Sequence, residues 1–280
     1  MPSFDTPEPI TVTAYVYAGS IQFTASDRPD TVVEVRPRTP KKDLDVRTAD
    51  QTEVAYASGV LTVTTPKANL LGRGGTVDVT VELPRGSRID VTGAGTNVLG
   101  EGTLGEVRAK TSAGDVRLDT TGPLHLTASH GSVIVDRVEG AAEITSSSGN
   151  VRVGTIDGPA VLKNSHGATI VGTVTGELRV NGANGGIDIA RAEASVTGTT
   201  TNGHLRVAEV ARGEIQLETS NGSVEVGIRQ GTAAWLDVNS HRGQVRNALN
   251  ASEAPEQTED TVKVRVRTNW GNIHILRAKA

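Results

Sequence analysis

Residues able to do chemistry are few in this sequence, and most of them recur at matching places. Ser129, His130 and Asp136 supply the residue types of a nucleophile, a base and an orienting acid. They lie close together along the chain with no strand, elbow and helix around them, so they are not expected to reach the geometry of acyl transfer. His130 returns as His166 in an equivalent slot two repeats later. At strand spacing the two rings would stand about 9.6 Å apart, too far to share one metal ion. The run "NGGIDIA" at 184–190 carries Gly185, Gly186 and Asp188, part of a calcium-binding nonapeptide, but the third glycine is missing and Asp is absent from the matching slots. Asp115 and Asp119 bracket a strand, while Glu143 and Glu177 fall in equivalent outward slots at a separation that suits an inverting carboxylate pair. Arg108, Arg152 and Arg179 interleave with them, which makes a solvated charged face the expected reading. No catalytic residue, metal ligand or cofactor is therefore expected. The exceptions to the regular spacing are Trp235, His241, Arg242, Trp270 and His274 near the C-terminus, and these are the candidates for a ligand-binding patch.

The elements that position these residues follow from the glycines. Gly95, Gly114, Gly131, Gly149, Gly167, Gly185, Gly203 and Gly222 are separated by 19, 17, 18, 18, 18, 18 and 19 residues. A second series, Gly105, Gly122, Gly140, Gly158, Gly176 and Gly213, falls between them, with Ala194 in one slot. Each half-period holds apolar residues at alternate positions, the pattern of a half-buried strand. Pairs such as Val133/Val135 and Ile187/Ile189 after the first series are expected to point inward, and so are Leu124/Leu126 and Leu178/Val180 after the second. The slots between the first pairs read Arg117, Ile134, Arg152, Ile170, Asp188, Arg206 and Glu225, a mixture suited only to the outside. One repeat cannot bury its own strands, so identical repeats must stack into parallel ladders. The expected fold is all-β, a parallel β-solenoid of the β-helix or β-roll kind with about 18 residues per rung. Polar residues before the turn glycine, among them Ser129, Ser147, Ser165, Asn202 and Asn221, are expected to hydrogen-bond their own turn backbone.

The regular repeats cover 91–246. Residues 1–90 read as an irregular β continuation, with "AGSIQFT" and "ASGVLTVT" copying the motif and longer loops at "DRPD" and "RPRTPKKD". The stretch 247–260 contains "NALNASEAPEQTED" and reads as an exposed loop, and 261–280 reads as a C-terminal strand or cap. No long amphipathic helix is evident.

Composition narrows the function. Two Trp, three Tyr and two Phe in 280 residues leave the core to Val, Ile, Leu, Ala and Thr. The net charge of -4 comes from 28 basic and 32 acidic residues, without the positive excess of a phosphate-backbone binder, so nucleic acid is not an expected partner. Cysteine is absent, which removes disulfides and thiolate chemistry. The N-terminus lacks a basic region followed by an apolar one, and no stretch approaches the ~20 apolar residues that span a bilayer. A cytoplasmic protein without a membrane span is the expectation for the chain as written.

The blocks "SAGDVRL", "SSGNVRV" and "TSNGSVEV" resemble the bacterial β-strand-repeat family labelled "putative adhesin", a domain of unknown function, over nearly the whole chain. That resemblance implies a solenoid and suggests surface attachment. Regular slots without a local chemical exception point to a non-catalytic binding or scaffold protein whose partner is an unknown protein or a surface polymer. A polysaccharide-binding or polysaccharide-cleaving solenoid enzyme is the alternative, and Trp235 and Trp270 are its only strong sugar platforms.

Overall fold

The computed structural model describes residues 2–67, 74–249 and 260–278. The chain is a parallel β-solenoid that falls into two compact units, Met1–Glu139 and Gly140–Ala280.

The first unit holds β1 (Ser3–Asp5), β2 (Thr11–Ser26), β3 (Asp30–Pro37), α1 (Asp43–Asp50), β4 (Glu53–Ala57), β5 (Val60–Thr64), β6 (Val77–Pro84), β7 (Arg88–Leu104), β8 (Val107–Ala113), β9 (Val116–Thr121), β10 (Leu124–His130) and β11 (Val133–Val138). β2 and β7 are long because each runs through a corner and supplies both sides of a coil. β7 pairs in parallel with β8 from Ile89↔Val107 and with β9 from Val98↔Val116. β2 lies on the other side of β7, with Val12 opposite Ile89 and Ile21 opposite Val98. Beyond β2 comes a coil formed by β5 and β6, which follow β2 in sequence, so the N-terminal strand is the second coil of the stack and not the first. This end is closed: β4 pairs antiparallel with β5, β3 with β6 and β1 with β3. Ser58 and Gly59, both at positive φ (51° and 78°), make the two-residue turn of the β4–β5 hairpin. The short helix α1 follows the "RPRTPKKD" segment. Its buried Asp45 accepts the Thr76 N–H at 2.9 Å and pairs with Lys42 at 3.0 Å.

The second unit holds β12 (Ala142–Ser148), β13 (Val151–Ile156), β14 (Ala160–His166), β15 (Thr169–Val174), β16 (Leu178–Asn184), β17 (Ile187–Ala192), β18 (Val196–Asn202), β19 (Leu205–Val210), β20 (Gly213–Asn221), β21 (Val224–Ile228), β22 (Ala233–Arg242), β23 (Val245–Asn247), β24 (Thr261–Trp270) and β25 (Ile273–Arg277). Even strands from β12 to β20 form one parallel ladder and odd strands from β13 to β21 the other. Partners are 18 or 19 residues apart, as in Leu178↔Val196 and Leu205↔Val224. The order then changes. β24 lies between β20 and β22, and β25 between β21 and β23, all parallel. The C-terminal segment is thus the penultimate coil, and β22–β23 is the last. The loop read at 247–260 lies outside the described residues at 250–259.

The alternation does what its period requires. Val116/Leu118, Val133/Val135, Ile187/Ile189 and Val224/Val226 are buried, as are Leu124/Leu126 and Leu178/Val180. The slots between the first-series pairs, from Arg117 to Glu225, are half-buried or exposed. Each fully buried Val, Leu or Ile contributes roughly 1.5–3 kcal/mol, so many small side chains replace the missing aromatic core.

The corners close in two ways. Some side chains bond their own turn, as Asn164 donates to the Gly167 carbonyl at 3.1 Å and Thr111 to the Ala113 carbonyl at 3.0 Å, and others reach the neighbouring coil, one strand spacing away. An inward row in register, Thr200, Thr219, Thr268 and Ser240, donates hydroxyls to the carbonyls of Gly185, Gly203, Gly222 and Gly271 at 3.4, 3.1, 3.0 and 2.8 Å. Asn164 extends that set to Gly149 at 3.0 Å. Just after the turn glycine, Asp115 accepts the Ser132 N–H at 2.8 Å and Asn150 the Ala168 N–H at 2.9 Å.

Candidate binding surface

The five C-terminal candidates lie on the last two coils. Register places Trp235 opposite Lys263, Arg242 opposite Trp270, and Arg246 opposite His274. Trp235 is 63% exposed and Trp270 54%. Arg242 stacks on Trp270, its guanidinium carbon 4.3 Å from the ring centroid, a cation–π contact.

Trp270 owes its position to the corner row. His166, Asn184, Asn202 and Asn221 are successive partners on the even ladder, and Trp270 follows Asn221. The amides form a side-chain ladder, Asn221 donating to Asn202 and Asn202 to Asn184, both at 2.9 Å. Trp270 then replaces an amide with an indole, and Arg242 covers it from the last coil. Trp235 stands seven residues from the Trp270 register on β22, about 23 Å along the strand. His241 is exposed beside Arg242 in sequence, while His274 is half-buried on the other ladder between Glu225 and Arg246. The structure therefore brings Arg242 and Trp270 together and leaves Trp235 and His274 apart from them.

The outward face of these coils is charged. Lys263, Arg265 and Arg267 alternate along β24, and Asp237 of β22 accepts two hydrogen bonds from Arg267, each 2.7 Å, with Arg265 at 3.4 Å. The Arg267 contact, with Arg265 assisting, holds the Asp237 carboxyl below the usual aspartate range. Sequence inspection missed this cluster, because Asp237 meets its partners only through the inserted β24. A cleft of about 480 Å³ beside it is lined by Arg212, Gly213, Glu214, Asp260, Thr261 and Lys263.

The other chemical candidates have structural partners. His130 Nδ1 lies 3.4 Å from the Ser112 carbonyl, and Asp136 is exposed on the following strand. His166 Nδ1 makes the same kind of contact with the Ser147 carbonyl at 3.3 Å. Asp188 pairs with His204 at 2.9 Å, and Glu177 with Arg179 at 3.0 Å. Asp119 accepts the Gly102 N–H at 3.1 Å. Among the described residues, no three His, Asp or Glu side chains are grouped to hold a metal ion. No described helix is long and apolar enough to cross a membrane.

The family model Toastrack DUF4097 matches residues 15–276. No curated protein matches the chain. Among solved structures, the chain is similar to a "putative adhesin" from Bacteroides fragilis, at 15% identity over 98% of this chain and 95% of that one, with a TM-score of 0.32. It is also similar to a "putative lipid binding protein" from Parabacteroides distasonis, at 14% identity over 99% and 96%, with a TM-score of 0.33. A "putative cell adhesion protein" from Clostridium sporogenes aligns at 11% identity over 99% and 98%, with a TM-score of 0.23.

Proposed function

We propose, from the premise that this chain belongs to the Toastrack DUF4097 family, that it is a non-catalytic binding or scaffold protein acting through the outward face of its last two coils. The observation that carries this reading is the exposure of both tryptophans of the chain on these coils, Trp235 along a strand and Trp270 at the corner. Large exposed aromatics lose little conformational freedom on contact and dominate binding where they occur. Elsewhere the outward rows consist largely of charges and amides that satisfy one another from coil to coil, as the Asn184–Asn202–Asn221 ladder does. Catalysis needs unlike groups with tuned pKa values at one place. Equivalent slots repeat like groups instead. The partner class is a protein or a surface polymer.

The test compares Trp235→Ala and Trp270→Ala with wild type in capture of partners from native extract, with folded content followed by circular dichroism. Both variants should stay folded and capture less. If both remain folded and retain every partner, this face is not the binding surface. Release of reducing ends from a polysaccharide by the wild-type protein would replace the non-catalytic reading with the enzymatic one.

A further inference from the structure

Asn–Gly pairs occur four times in the sequence, at Asn181–Gly182, Asn184–Gly185, Asn202–Gly203 and Asn221–Gly222, and their asparagines all fall on β16, β18 and β20. The last three are successive register partners, exposed at one corner of the second unit. An asparagine followed by glycine is the least hindered place for a backbone nitrogen to attack a side-chain amide, because glycine sets no side chain beside that nitrogen. The glycine nitrogen gives up its proton and bonds to the asparagine Cγ, the Cγ–Nδ2 bond breaks, and ammonia leaves with a proton taken from solvent. Water then opens the five-membered imide to aspartate or, with a methylene added to the backbone, to isoaspartate. The corner cannot escape this chemistry by changing the glycine. A Cβ at Gly185, Gly203 or Gly222 would strike the carbonyl of the turn glycine one coil earlier.

We propose that this corner row is a latent deamidation site, closed by stacking in the folded chain and opened from its C-terminal end, with Asn221 converted first, Asn202 next and Asn184 last. Stacking holds both reacting groups. Each glycine N–H donates to the next coil, Gly185 to the Asn202 carbonyl at 2.9 Å, Gly203 to the Asn221 carbonyl at 2.9 Å and Gly222 to the Trp270 carbonyl at 2.8 Å, and attack would break that bond. The side-chain amides are tied along the row, Asn221 to Asn202 and Asn202 to Asn184, whereas attack needs the amide carbon folded back onto its own chain. Protection is unequal. Gly185 and Gly203 are held by β18 and β20, but Gly222 is held by β24, which is followed on this ladder only by β22 among the described residues. Stacked repeats open from their ends, so the strand that guards Gly222 opens most often. Conversion there has a local consequence. It replaces the amide that donates to Asn202 with an acceptor and sets a negative charge one strand from Trp270, on the side away from Arg242. The inference concerns backbone chemistry and stands apart from the exposed-tryptophan reading.

Peptide mapping by mass spectrometry on the full chain tests it, with the protein incubated at mildly alkaline pH, folded in one arm and in concentrated urea in the other. In urea the three pairs should convert at similar rates. In the folded protein all three should slow, and aspartate plus isoaspartate should accumulate at Asn221 ahead of Asn202 and at Asn202 ahead of Asn184. Val266→Ala removes two buried methyl groups from β24. It should speed conversion at Asn221 by roughly tenfold, because the reaction follows the open fraction of that strand, and leave Asn184 at its wild-type rate. Equal rates in the folded and urea arms, Asn184 or Asn202 ahead of Asn221, or a folded Val266→Ala chain that converts Asn221 no faster would each overturn the proposal. Should Val266→Ala misfold, the order of conversion in folded wild type decides.

Discussion

Gly167 is held to glycine twice over. Its φ of +127° lies where side chains with a Cβ are strained, and a Cβ there would be driven into the carbonyl oxygen of Gly149 on the preceding coil. The carbonyl is already engaged, because it accepts a hydrogen bond from Asn164. Gly167→Val should therefore cost about 3 kcal/mol or more, combining backbone strain with overpacking. Gly59 separates the two causes: its φ is +78°, yet nothing lies within 4 Å of where a Cβ would stand. Gly59→Ala should show the strain alone, roughly 1–2 kcal/mol. Urea denaturation of both variants checks the contrast, and equal losses would show that crowding between coils is not the larger cause. Polar residues obey the same geometry. Glu209 accepts from Arg229 at 2.6 Å and from Arg191 at 3.0 Å, and these contacts, led by Arg229, hold its carboxyl below the ordinary value of 4.5. A carboxyl lowered on folding adds stability above its unfolded pKa and loses it as pH falls through the folded one. Glu209→Gln should then be less stable than wild type near neutrality, with the gap closing below pH 4.5, as read from urea midpoints across the acid range. A gap that stays constant with pH would mean the carboxylate charge is not what binds the coils.

At the scale of elements, α1 shows how one carboxylate fixes a cap. Burial pushes the Asp45 carboxyl up, but the Thr76 N–H, Lys42 and Thr39 outweigh it, and the net direction is down. Asp45→Ala leaves the Thr76 N–H without its acceptor and frees the helix, an expected loss of roughly 1–3 kcal/mol. Hydrogen exchange should show 43–50 losing protection while β8 and β9 keep theirs. Loss spread evenly over those strands as well would place Asp45 in the core of the unit and not in its cap. The strands themselves were legible because in-register parallel pairing demands coils of nearly equal length, which the glycines recorded; Val133, Ile187 and Val224 point inward as the alternation requires. The order of coils was not legible. Any segment with the inward pattern fits any rung, so nothing local in Thr11–Ser26 or Thr261–Arg277 marks it as second from an end. The candidate residues were legible as breaks in the period, but which of them meet was hidden in the same way. Arg242 and Trp270 are 28 residues apart and meet only through that insertion, and Asp237 reaches Arg265 and Arg267 by the same route.

Across the whole molecule, like groups repeat along rows and unlike groups meet in pairs. Arg191 bonds Glu209, Arg206 bonds Glu225 at 2.9 Å and His204 bonds Asp188, each linking one coil to the next. A pair of this kind satisfies itself and leaves few lone pairs converging on one point. A cation site needs the reverse, six to eight oxygens for calcium or three to four nitrogen and carboxylate ligands for zinc. Asp188 supplies one carboxylate, and it is already engaged by His204. Chelation should therefore leave the melting temperature of the full chain unchanged, and calcium or zinc should not raise it, because an ion stabilises only as far as it binds the folded state better than the unfolded one. Differential scanning calorimetry with chelator, then with each ion in titration, measures this. A saturable rise would show a site assembled from residues of different rows, and His204→Ala would locate it. If that substitution abolished the rise, the His204–Asp188 pair would be a ligand set and not a rung-to-rung link; if the rise persisted, the ligands would lie elsewhere.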